Sequence, residues 1–126
     1  MKNIVYFTSY KDAIVSLKWI NNIVEQLLLK YQINDIVEIG IELVSKEEIK
    51  KLNKLYRHID KATDVLSFGQ VENKKYIKNT PRALGDVVIC YPIAVSQAKE
   101  HKHSTKAEIE FLIHHGFRHL IGLHHK

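Results

Sequence analysis

The stretch from Val37 to Leu43 limits the possible folds most. Val37, Ile39, Ile41 and Leu43 alternate with Glu38, Gly40 and Glu42, and a period of two is the pattern of a strand with one buried face and one wet face. The segments on either side have a different period. Ser9-Tyr10-Lys11-Asp12 has the form of a capping box, with Ile14, Leu17, Ile20, Val24, Leu27 and Leu28 following at helical spacing; together they predict a helix over residues 11–31. Downstream, Ser45-Lys46-Glu47-Glu48 is a second capping box, opening a helix that carries Ile49 and Leu52 to about Tyr56. Further strands are expected at 4–8, 64–68 and 84–91, rich in Val, Leu and Ile. The lysine-rich stretch 69–81 between the last two reads as an exposed, mobile loop. Pro92 suits the first turn of a helix reaching about Glu100, and Thr105-Lys106-Ala107-Glu108 is expected to cap the last long helix.

The order β-α-β-α-β-β-α-α predicts an α+β fold: one mixed sheet of about four strands with helices packed on it, as a single domain over residues 1–126. A chain of 126 residues is long enough to bury a core without disulfide staples. Cys90 is alone, so no internal disulfide can form; within an apolar run it reads as a small buried hydrophobe. No apolar run reaches the roughly 18–20 residues of a membrane span. The first nine residues also lack the basic start and apolar block of a signal peptide. A cytoplasmic location with no membrane partner is therefore expected. The net charge of +5 and pI of about 9.3 favour a polyanionic partner, RNA or DNA.

Chemistry concentrates at the carboxyl end. Most of the 8 histidines fall in the last dozen or so positions. His115 and His119 are four apart on the last helix, which places their Cβ atoms about 6 Å apart on one face, within reach of a single metal ion. Gly122 stands where a helix can reverse through a left-handed residue, bringing His125 back toward the pair. The full pattern is H-x3-H-x2-G-x2-H. Three imidazoles leave a fourth position open, the arrangement of catalytic rather than structural zinc, where a bound water's pKa falls to about 7. One Zn2+ ion on His115, His119 and His125 is the expected cofactor, at the end of the last helix. Histidines near a helix C-terminus can also merely complement its dipole. His101 and His103 lie in a polar stretch and are expected to be solvated, while His114 and His124 neighbour the ligands and could relay protons. Zinc peptidases share the i, i+4 pair, but their H-E-x-x-H motif carries a general-base glutamate where this chain has Gly116.

The segment His115-Gly116-Phe117-Arg118-His119-Leu120-Ile121-Gly122-Leu123-His124-His125 resembles the H-G-x-x-H-L-x-G-x-D-H signature of the YbeY family. Leu52-Asn53-Lys54-Leu55-Tyr56-Arg57 through Thr63-Asp64-Val65-Leu66-Ser67-Phe68 is similar to the family's L-N-x-x-Y-R and T-D-V-L-S-F blocks, and Leu84-Gly85-Asp86-Val87-Val88-Ile89 to its G-D-I-x-I strand. The resemblance implies a single-strand-directed, metal-dependent endoribonuclease that matures rRNA, including the 16S 3′ end, and acts in ribosome quality control. It places the zinc ligands on His115, His119 and His125, a functional arginine on Arg57, and partners in RNA, namely rRNA and the small ribosomal subunit. A guanidinium at a helix end can hold a phosphate bidentately and stabilise developing charge. Thr63, Asp64, Ser67 and Asp86 are weaker candidates, of which Asp64 and Asp86 could orient ligands, hold loops or equally cap turns. The chain departs from the pattern at His124, where the family has aspartate, and at Arg118, where an apolar residue is usual. It also stops at Lys126, and a third ligand so near the chain end is expected to bind more weakly. The alternatives are an RNA- or ribosome-binding module with a structural metal, and a different zinc hydrolase such as a peptidase.

Overall fold

The computed structural model describes residues 3–11, 13–69 and 81–124, with backbone only for Leu123 and His124. The elements are β1 (Ile4–Thr8), α1 (Leu17–Lys30), β2 (Val37–Val44), α2 (Lys46–Arg57), β3 (Val65–Gly69), β4 (Arg82–Cys90), α3 (Tyr91–Glu100) and α4 (Thr105–His124). The strands form one mixed sheet in the order β1-β2-β4-β3; β1, β2 and β4 are parallel, and β3 runs antiparallel on the β4 edge. The α+β fold with a four-stranded mixed sheet is thus as expected. The lysine-rich stretch 70–80 lies outside the described residues.

Two of the expected helix starts are displaced. The first long helix begins at Leu17, capped by Ser16, whose Oγ accepts the Trp19 N–H at 3.1 Å. Ser16 meets the first residue of the buried stripe Ile20, Ile23, Val24, Leu27 and Leu28, whereas the box at Ser9 has no such face to extend. At α4 the cap is Ser104, not Thr105, with Oγ accepting the Ala107 N–H at 3.0 Å. The Ser45 cap forms as expected, accepting the Glu48 N–H at 3.1 Å.

The sheet is covered on both faces. On one side α1 and α4 pack over Val37, Ile39, Ile41, Leu43, Leu84, Val87 and Ile89. On the other, Ile49 and Leu52 of α2 meet Val44, Leu66, Val88 and Cys90. The face of β2 expected to be wet is therefore wet only in part. Val44 and Gly40 are buried, and only Glu38 and Glu42 are half-exposed. A strand paired in parallel on both sides is commonly covered by helices on both faces. Burial pushes the Cys90 thiol above its ordinary pKa, as an inert core cysteine requires.

Candidate active site

The geometry centres on β3, the edge strand. Ser67 is 7% exposed and touches two elements at once. Its backbone carbonyl accepts a 2.6 Å bond from the Arg57 guanidinium, at the C-terminal end of α2. Its hydroxyl donates to the Gly116 carbonyl of α4 at 3.2 Å. One residue thus ties the arginine to the helical turn that carries His115.

Arg57 is held from three directions. Helix α2 stops directly after it. His58 adopts a left-handed conformation (φ 62°), and the His58 and Ile59 N–H groups bond back to the Lys54 and Asn53 carbonyls, the His58 bond being the one that defines an αL helix cap. The buried Asn53 amide donates to the Lys61 carbonyl at 2.9 Å and fixes the loop that follows. The guanidinium lies 5.3 Å from the centre of the Phe68 ring, a cation–π distance. Tyr56 meets the same ring edge-on at 5.2 Å. The remaining Arg57 donors have no partner among the described residues, and the side chain is exposed. It is ordered by the protein, with its remaining donors open to solvent.

On α4, Gly116 is the contact that sets the helix against the sheet. A Cβ there would lie 2.6 Å from Val87 Cγ1 and 3.0 Å from Ser67 Oγ. No side chain fits this position without moving the helix. The glutamate of the peptidase motif would therefore be crowded at this position as well as absent from it.

His115 and His119 flank the buried stripe Leu112, Ile113, Phe117 and Leu120. Both are exposed, and neither ring has a hydrogen-bond partner among the described residues. An i, i+4 pair on a regular helix is offset by only about 40° around the axis, so the rings share one face. Gly122 lies on that face too, and a Cβ there would meet nothing within 4 Å. Two free imidazoles beside open space suit a borderline metal ion of the zinc kind. His125, the expected third ligand, lies outside the described residues.

The expected reversal at Gly122 is not found. Helix α4 continues through it to His124, and Gly85 is the only described glycine with positive φ. Glycine permits a left-handed turn without imposing one.

Other expected residues fall elsewhere. His114 turns to Glu110, with Nε2 shielded and 3.7 Å from the carboxylate. Asp86 lies across from Gly40 on the neighbouring strand, so close that a Cβ on Gly40 would collide with its carboxylate. Burial raises the Asp86 pKa, and it raises that of Glu42, helped by the charges of Asp86 and Glu48. Asp64 accepts the Cys90 N–H through its carbonyl at 2.9 Å, and the Thr63 hydroxyl reaches its carboxylate at 3.4 Å. Neither aspartate has a described contact with His115 or His119. His101 and His103 are not simply solvated: both rings bond to Glu108.

A mixed β1-β2-β4-β3 sheet with an arginine and a histidine-bearing helix converging on its β3 edge defines an α+β protein with a candidate phosphate-and-metal site. The profile of the family described as Endoribonuclease YbeY matches residues 8–126. Endoribonuclease YbeY of Staphylococcus carnosus is 40% identical over 124 residues, covering 94% of this chain and 80% of its own. That of Staphylococcus epidermidis is 39% identical over 121 residues, covering 90% and 77%. A solution structure of a Thermotoga maritima protein superposes with a TM-score of 0.59 at 29% identity, covering 93% of this chain and 71% of the other. The chain belongs to the YbeY family.

Proposed function

We propose that this protein is a zinc-dependent endoribonuclease that cleaves single-stranded RNA in rRNA processing, at the 16S 3′ end among other sites, and takes part in ribosome quality control. The observation that carries the reading is the Ser67 bridge, which brings Arg57 and the His115 turn to the same sheet edge through bonds of 2.6 and 3.2 Å. His115, His119 and His125 would hold the ion. When bound, it supplies Lewis acidity toward a phosphoryl oxygen and toward water. Arg57 binds and orients the phosphate, and its fixed positive charge meets the negative charge that grows during displacement. The net charge of +5 helps retain the RNA backbone, with affinity falling as salt rises. The substrate setting is cytoplasmic, on rRNA or the small ribosomal subunit. No helix among the described residues is long and apolar enough to cross a membrane.

The test is cleavage of rRNA fragments by purified wild type, His115→Ala and Arg57→Glu, with metal content measured on each. Loss of cleavage in both variants is expected, with metal content falling only in His115→Ala. Equal cleavage by all three would point to a contaminating nuclease and remove the enzyme reading. An RNA-binding module with a structural metal would instead show no cleavage in any of the three. In that case metal removal would lower thermal stability, and RNA affinity would survive.

A further inference from the structure

The corner between α3 and α4 contains a second group of ligand-type side chains. Helix α3 ends at Glu100, and Lys102 takes a left-handed conformation (φ 58°) that turns the chain. The Lys102 and His103 N–H groups close the corner by bonding to the Lys99 and Ala98 carbonyls at 3.2 and 3.1 Å. The turn puts His101 and His103 on either side of Glu108, which comes from the first turn of α4. His101 Nδ1 lies 2.9 Å and His103 Nε2 2.6 Å from the same oxygen, Glu108 Oε1. The Glu108 side chain is 1% exposed, while the rings are 53% and 38% exposed. The second carboxylate oxygen, Oε2, is buried with no partner among the described residues.

We propose that His101, His103 and Glu108 form a divalent transition-metal site of the zinc class, separate from His115 and His119. One histidine nitrogen from each ring and a carboxylate oxygen already lie within 4.8 Å of one another. Bonds of about 2.0–2.1 Å to a tetrahedral ion require ligand atoms roughly 3.3 Å apart. The two nitrogen–oxygen pairs must open by less than about 1 Å, and the nitrogens must close by at most about 1.5 Å. Exposed rings can make that change by rotating about their side-chain torsions, while the buried carboxylate stays in place. Two imidazoles and one carboxylate suit zinc, nickel or cobalt rather than magnesium or calcium, and the solvent side leaves room for a fourth ligand.

The carboxylate is prepared for a cation. Burial alone would raise the Glu108 pKa, but the two histidine bonds overcome it and hold the group below its ordinary value. Two hydrogen bonds on one oxygen leave the other unsatisfied in a buried position. A cation bound to the carboxylate would offset that charge, and it would clamp the end of α3 to the start of α4. The position is about 10 Å along the helix axis from His115, counting from Glu108. The clamp would therefore act on stability, not on the reacting phosphate.

The test uses the full chain carrying His115→Ala and His119→Ala, so that these ligands cannot contribute. Zinc and cobalt binding are measured by equilibrium dialysis, alongside the visible spectrum of bound cobalt and the melting temperature at rising zinc. One equivalent of zinc, a tetrahedral cobalt spectrum and a zinc-dependent rise in melting temperature are expected. Adding His101→Ala, a change at an exposed ring, should weaken binding at least tenfold; Glu108→Gln should do the same. In the chain with His115 and His119 intact, stoichiometry should fall from two ions to one on His101→Ala alone. Failure of the double variant to bind zinc, or equal affinity after His101→Ala, would overturn the site and leave a proton-bridged cluster.

Discussion

The fit of Gly116 against the sheet gives a prediction whose sign can be worked out. Gly116→Ala and Gly122→Ala make the same chemical change on the same helix, so the intrinsic gain of roughly 1 kcal/mol for replacing glycine by alanine is shared by both. Their surroundings differ. At position 116 the new Cβ would stand 2.6 Å from Val87 Cγ1 and 3.0 Å from both Val87 Cγ2 and Ser67 Oγ. Val87 is fully buried in a central strand and cannot retreat. Overpacking of this kind costs about 1–3 kcal/mol. At position 122 nothing lies within 4 Å, so only the gain remains. The net effect is about 0–2 kcal/mol of destabilisation for Gly116→Ala and up to about 1 kcal/mol of stabilisation for Gly122→Ala. For a chain of this size each kcal/mol moves the melting temperature by roughly 3–5 °C, so Gly116→Ala should melt at least about 3 °C below Gly122→Ala. The assay is thermal and urea unfolding of both variants with metal removed. Equal midpoints would refute the close packing of α4 on β4. A large loss of stability in Gly122→Ala would refute the uninterrupted helix and restore the reversal at that residue.

Two further outcomes follow from the same geometry. Ser67→Ala removes the buried hydroxyl bond to the Gly116 carbonyl and should cost about 0.5–1.5 kcal/mol in urea unfolding. Nuclease activity should fall further than stability because α4 and β3 lose their link, and an unchanged unfolding midpoint would show that the bond contributes nothing. Asp86 has a pKa raised by burial, so its charged form is disfavoured in the fold. Its contribution is most favourable below its unfolded pKa of about 3.9 and is lost as pH rises through the folded value. Asp86→Asn should therefore stabilise the protein at pH 7, with the gain shrinking toward pH 4; a variant less stable than wild type at pH 7 would contradict this.

Local sequence signals fixed a good deal of this protein. Ser45 capped α2 because its side chain competes only for the N–H groups of its own first turn, and the period-two run set β2 because its buried side chains must share one face. The His115 and His119 pair was equally legible, since four residues on a helix always return to the same side. What was not legible depended on neighbours distant in sequence. The second face of β2 read as wet along its length, but packing against α2 buries its Val44 end while Glu38 and Glu42 stay half-exposed. Glu108 looked like the partner of a helix cap, but tertiary burial left its carboxylate in need of donors, and His101 and His103 supply them across the α3–α4 corner. The bridge from Arg57 through Ser67 to Gly116 spans 49 residues between its last two members, and no periodicity encodes such a contact. Sequence alone determined which elements form and which side chains could do chemistry. Packing of α2 and α4 against the β3 edge decided which of them meet, because burial and hydrogen-bond satisfaction are settled only when distant surfaces close on one another.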